Sequence, residues 1–334
     1  MAMTPREVVQ RAVTFTGPDR LPLRFDALGI SDVHVARWNQ VGTGDKALHE
    51  TLDEWGCLWK RSEMENMGQV KGHPLAEWSA LEGYRWPDPD DPAFYEGMEA
   101  RFAGSNGKYV LTDIFMLLFE RMHALRGFEN TLTDLYMERE RIERLADGIV
   151  AFDLRLIENI ATRFGPSIDG LSFTDDWGTQ QDVIVSPRMW KDFFAPRYKR
   201  IFDAIHAAGW HVWMHSCGKV NNILDLLIET GVDVINLQQP RALGIEVVGE
   251  RFCGRICFES LCDIQHTLPF QDDQAIRDEA ALLLERWGSP RGGFILSDYG
   301  DGRAIGVPAE KKRVMLAAFL EADPWRKAAG SAAA

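Results

Sequence analysis

The 334-residue sequence contains no unbroken apolar run of the roughly 18 residues that a membrane-spanning helix needs. Its opening residues, Met1 to Glu7, lack the apolar stretch of a secretory signal, so the expected location is the cytoplasm. Positive charge is in the minority: Lys and Arg number 37 against 50 Asp and Glu, a net charge of −13, and no basic run stands out. A duplex nucleic-acid binder needs a basic face, so nucleic acid is set aside as a partner, and so is the membrane. The same acidity repels a polyanionic substrate unless local arginines overcome the field. Cysteine is scarce: Cys57, Cys217, Cys253, Cys257 and Cys262 make an odd set of five. In a large chain without a secretory signal, reduced thiols or metal ligands are expected instead of a disulfide framework. No Gly-x-Gly-x-x-Gly follows the first strand, which disfavours a dinucleotide-binding sheet.

What is present is a 46% hydrophobic chain, enough for one large core. Thr4 to Thr16 reads as an opening helix, with Thr4 as N-cap, Pro5 at the first helical position and Glu7 three residues after the cap. Leu21 to Asp26 reads as a first strand. Residues 68–92, rich in Pro, Gly, Trp and Asp, read as the centre of an excursion over a barrel mouth near 60–100. From Lys108 onward short apolar runs alternate with longer helical patterns. Strands are expected at 109–114, 168–173, 210–215, 232–237, 255–258 and 293–297. Helices are expected at 130–163 in two pieces, then at 187–208, 220–230, 274–287 and 308–321. This alternation predicts a parallel sheet covered by helices. Strands that end in polar or Gly-rich residues favour a closed (β/α)₈ TIM barrel over an open sheet. One domain is expected over 1–326, with 327–334 as a disordered tail.

In such a barrel, chemistry gathers where the strands run out at their C-terminal ends. Those ends deliver Asp26, the segment Asp53 to Cys57 (read as the edge of another strand), Asp113, and Asp175-Asp176-Trp177-Gly178-Thr179-Gln180. They go on to deliver His215-Ser216-Cys217-Gly218, Gln238 and Gln239, the pair Cys257 and Glu259, and Asp298-Tyr299-Gly300-Asp301. His215 and Cys217 lie two apart on an extended segment, so both side chains point to one side. An imidazole beside a thiol suits zinc, and the helix beginning near Val220 turns its N-terminal dipole toward the thiol. The plain alternative is a hydrogen-bonding histidine beside a packed cysteine. The third ligand stays open among Cys257, Glu259 and Asp298. Asp175 and Asp176 are adjacent, so alternation sends one of them into the pocket as substrate binder, ligand-orienting group or base; capping a turn is the alternative. Gln180 is expected to help position substrate, and Asp26, Asp113, Trp177, Gln238 and Tyr299 to line the pocket.

Several segments together resemble the uroporphyrinogen decarboxylase superfamily. They are Asp175 to Gln180, Ser186 to Trp190, Phe193 to Lys199, His215 to Gly218 and Gly231 to Asn236. Phe119 to Arg121, Leu125 to Asn130, Asp263 to Pro269 and Gly292 to Leu296 also fit. The resemblance covers nearly the whole chain and implies the barrel inferred above. True uroporphyrinogen decarboxylases carry an Arg-Gln-Ala-Gly-Arg motif. The matching stretch here, Leu21 to Arg37, has Arg24 and Arg37 without that motif. The resemblance therefore points to the zinc-dependent methyltransferase branch. It implies that zinc on His215 and Cys217 acts as a Lewis acid and that a methyl group passes from a small ether or thioether to a corrinoid on a partner protein. The distal cysteine of that branch is missing, because the last strand reads Ser297-Asp298-Tyr299-Gly300. Asp32-Val33-His34-Val35-Ala36-Arg37 only approximates a corrinoid-domain motif and is read as coincidence. The alternatives implied are a metal-independent decarboxylase or lyase, with Asp53 or Asp176 stabilising a protonated intermediate, and a non-catalytic binding barrel. A homodimer is expected by resemblance alone.

Overall fold

The computed structural model describes residues 2–39, 49–61, 68–300 and 302–326, so the expected tail at 327–334 lies outside the described residues. Eight parallel strands form a near-closed barrel: β1 (Leu23–Phe25), β2 (Val33–Val35), β3 (Tyr109–Ile114), β4 (Gly170–Thr174), β5 (His211–His215), β6 (Val234–Leu237), β7 (Cys257–Ser260) and β8 (Phe294–Ser297). Each pairs in parallel with its neighbour from β2 round to β8, and β8 pairs with β1. Between β1 and β2 the short strand Ile30–Ser31 folds back antiparallel on β1, and the Asp32 amide donates to the Leu23 carbonyl at 2.7 Å. This is the expected (β/α)₈ architecture, and no described helix is long and apolar enough to cross a membrane.

The opening helix, Pro5–Val13, starts where its cap predicts: the Glu7 amide donates to Thr4 Oγ1 while the Glu7 carboxylate accepts from the Thr4 amide. Its apolar side packs Val9, Ala12 and Val13 against Tyr109, Trp213, Val234, Cys257 and Ile295, which closes the N-terminal end of the barrel. A second, larger core lies between the strands and the outer helices. Fully burying one such large side chain contributes about 1.5–3 kcal/mol.

One expectation is corrected. The second barrel strand is Val33–Val35, too short to stand out as a run. The segment around Asp53 instead belongs to a separate three-stranded antiparallel sheet of Glu50–Leu52, Leu58–Lys60 and Gln69–Gly72. The helix expected over 187–208 forms over 187–207, with Trp190–Phe194 in π-helical form before Ala195–Ala207 resumes the α-helix. The excursion folds onto the helix after β3: the Leu75 amide donates to the Leu125 carbonyl, and Arg126 donates to the Leu75 carbonyl.

Candidate metal centre

Strand register places the site. Thr174 pairs with His215, His215 with Asn236, and Asn236 with Glu259, so the ends of β4 to β7 form one layer. In that layer Cys217 Sγ lies 3.3 Å from His215 Nε2, and Asp176 Oδ1 lies 3.6 Å from the same nitrogen. Asp176 Oδ1 also accepts the Cys217 amide at 2.7 Å. The donor atoms of Asp176, His215 and Cys217 all lie within 4.8 Å of one another, and all three residues are half-buried. Among the described residues this is the one group of three or more His, Cys, Asp and Glu side chains so arranged.

The histidine is oriented from behind. Asn236 Nδ2 donates to the Glu259 carbonyl at 3.3 Å and to Ser297 Oγ at 3.5 Å, which sets its amide. Its Oδ1 therefore faces His215 Nδ1 at 2.6 Å and accepts the ring N–H. Nε2 is left with its lone pair toward the thiol and carboxylate. The backbone beneath is locked by two glycines. A Cβ on Gly178 would lie 2.5 Å from the Gly218 carbonyl carbon, and one on Gly218, at φ +75°, would lie 2.3 Å from the Gly178 carbonyl oxygen. The Gly178 amide donates to the Cys217 carbonyl at 3.1 Å, and the Gly218 amide donates to Gln239 Oε1 at 2.6 Å. The loops that carry Asp176 and Cys217 are thus in direct backbone contact.

Asp175 and Asp176 divide as alternation requires. Asp176 faces the metal-type donors. Asp175 is fully buried and accepts from the Leu118 and Glu120 amides at 2.9 and 2.7 Å and from the Tyr198 hydroxyl at 2.5 Å. It holds the first turn of helix Phe119–Arg126 in place. Burial pushes its carboxyl up to about 6, against the pull of those donors. Glu120 lies beside this pair: burial, then the charges of Asp176 and Asp175, push its carboxyl well up, and its enclosed Oε2 has no hydrogen-bond partner. His123, one turn on, is pushed down to about 4 by burial. The Cys217 thiol is pushed up by burial and then by the Asp176 charge, so without a cation it stays protonated.

The other expected site residues do not join this trio. Glu259 accepts from Arg24 at 3.2 Å on both oxygens and from Trp213 Nε1. Asp298 pairs with Lys312 at 3.4 Å. Cys257 packs in the cluster at the closed end of the barrel, and burial pushes its thiol well up. None of the three joins the cluster around His215. Asp53 is buried and accepts from Arg121 at 2.8 Å, from the Trp55 and Cys57 amides and from Trp59 Nε1. Trp177 is fully buried and stacks on Phe119 at 4.3 Å. Asp113 pairs with Arg37 at 2.8 Å. Gln180 and Asp26 are exposed, Gln238 is half-buried, and Tyr299 packs partly against the core.

Residues 115–321 match the family model described as uroporphyrinogen decarboxylase (URO-D). The chain belongs to this family. Solved structures match this URO-D chain as well. A methyltransferase from Methanosarcina mazei matches with a TM-score of 0.69 at 15% identity, covering 96% of this chain and 99% of that one. An intracellular xylanase from Thermoanaerobacterium saccharolyticum, at 10% identity, covers 64% of this chain and 73% of its own with a TM-score of 0.39. At these identities the likeness to the methyltransferase speaks for the fold alone. No curated protein matches the sequence.

Proposed function

We propose that this URO-D-family chain is a methyltransferase that takes a methyl group from a small ether or thioether and passes it to a corrinoid carried by a partner protein. The observation that carries the reading is the preorganised trio of Asp176, His215 and Cys217 at the barrel mouth. Its donor set fits zinc: one carboxylate, one thiol, and an imidazole whose tautomer Asn236 already fixes with Nε2 as the donor. The two anionic ligands would balance a divalent charge. Three protein ligands are the number used by catalytic zinc sites, which keep a further position for substrate. Bound there, zinc supplies Lewis acidity toward the oxygen or sulfur that carries the methyl group. The protein's own part is to hold that atom beside the trio. Its interlocked Gly178 and Gly218 loops keep Asp176 and Cys217 from drifting apart. The decarboxylase alternative would rest on Asp53 or Asp176, and of the two Asp53 has its oxygens taken up by Arg121, Trp59 and two backbone amides.

Elemental analysis of protein purified without chelator tests the reading. About one zinc per chain is expected, falling toward zero in Asp176→Ala and His215→Ala. Protein that holds no such metal, and whose methyl transfer to added reduced cobalamin is unchanged by zinc, would remove the proposal. Release of carbon dioxide from a candidate acid without metal would put the decarboxylase in its place.

A further inference from the structure

A cleft of about 630 Å³ opens at the end of the barrel opposite the metal centre, where β3 and β4 begin. That volume falls within the roughly 300–1,000 Å³ of small-molecule sites. Its walls come from the first turn of the opening helix, from helix Met98–Ala103 with the turn after it, and from the end of the long helix Arg139–Phe164. Arg6 is already matched, with Nε and Nη2 each 2.7 Å from Asp169 Oδ1. Lys108 and Arg163 are not: among the described residues neither makes an ion pair. Arg163 lies over the Tyr95 ring at 4.1 Å, and its charge helps to lower the Asp90 carboxyl. Glu99 is the one acidic side chain of the lining outside the Arg6–Asp169 pair, so cations exceed anions there. This reverses the sign of a molecule with net charge −13. Phe102, Phe164 and Val110, each more than nine-tenths buried, back the cleft with apolar edges.

We propose that this cleft binds a small organic anion, an acidic head on a flat or short apolar body. The head meets Lys108 and Arg163, and the body lies against the edges of Phe102 and Phe164. An exposed charge pair contributes little alone, but two cations around one concave apolar surface select both the sign and the shape of a ligand.

Isothermal titration with naphthalene-2-carboxylate tests this, with naphthalene-2-methylammonium as the control of reversed charge. Saturable binding of the carboxylate is expected, with the ammonium weaker by about tenfold or more. The double variant Lys108→Glu, Arg163→Glu should lower carboxylate affinity by at least about tenfold, and added zinc should leave it unchanged. No saturable binding, equal binding of the two probes, or a double variant that binds as the wild type does would each overturn the proposal. Circular dichroism reports whether the double variant folds. If it does not, Arg163→Ala serves in its place, and an unchanged affinity in that variant likewise overturns the proposal.

Discussion

Asn236 shows how much one side chain outside the ligand set can decide. It touches none of the partners a metal would bring, yet its 2.6 Å contact chooses which nitrogen of His215 is free. Replacing it by alanine removes the acceptor and frees the ring to rotate or change tautomer. Asn236→Ala is therefore expected to weaken zinc binding by about 10- to 100-fold. Asn236→Asp keeps an acceptor at the same place and should retain most of the affinity. Competition with a chromophoric chelator measures both. Equal affinity in wild type and Asn236→Ala would show that the ring is held by packing alone. The sequence makes His215 and Cys217 stand out because both lie on one segment two residues apart. It leaves Asn236, Gln239 and Asp176 as the partner of His215 unassigned for a physical reason: these contacts run between strands, and register is a property of pairs of strands. Glu259 and Cys257 look equally suitable on their own strand. Only the barrel shows that one is spent on Arg24 and Trp213 and that the other lies at the closed end.

At the scale of elements, the site depends on two loops that cross at Gly178 and Gly218. Gly218 has both a positive φ and a backbone oxygen 2.3 Å from where a Cβ would stand. A side chain there must strain its own backbone and push the Asp176 loop away. Gly218→Ala should therefore cost about 1–3 kcal/mol of stability from the backbone conformation alone. It should also lower zinc occupancy, because the 2.7 Å contact between Asp176 and the Cys217 amide spans that crossing. Chemical denaturation and metal analysis read the two effects separately. Lost stability with full occupancy would show that the donor set survives displacement of the loops. Element legibility follows length and contrast. The six-residue strand Tyr109–Ile114 has the bounds its apolar run predicts, and the capped opening helix begins where its capping box says. The three-residue strand Val33–Val35 and the antiparallel sheet over the excursion lack any run long enough to show a period, and their pairing comes from tertiary contact.

At the scale of the whole molecule, the barrel's two ends do different things. The opening helix and Trp213, Cys257 and Ile295 fill one end with apolar side chains, while the other end gathers three metal-type donors on β5 and the loops after β4 and β5. A cation bound to the native trio and not to the unfolded chain would shift the folding equilibrium of the entire domain. At free zinc about 100-fold above its dissociation constant, the gain is about 2.7 kcal/mol. In a chain of 334 residues that corresponds to a rise in Tm of several degrees. His215→Ala and Asp176→Ala should lose this rise, because each removes a donor that the unfolded state cannot hold in place. Asp298→Asn should start from a lower Tm, because it removes the charge that Lys312 meets at 3.4 Å, and still show the full rise. The increment with zinc, and not the starting Tm, separates metal binding from packing. Scanning calorimetry with and without zinc measures it. A rise of equal size in His215→Ala would place the zinc outside the trio, whereas a rise confined to chains with all three donors would join the chemistry of the mouth to the stability of the barrel.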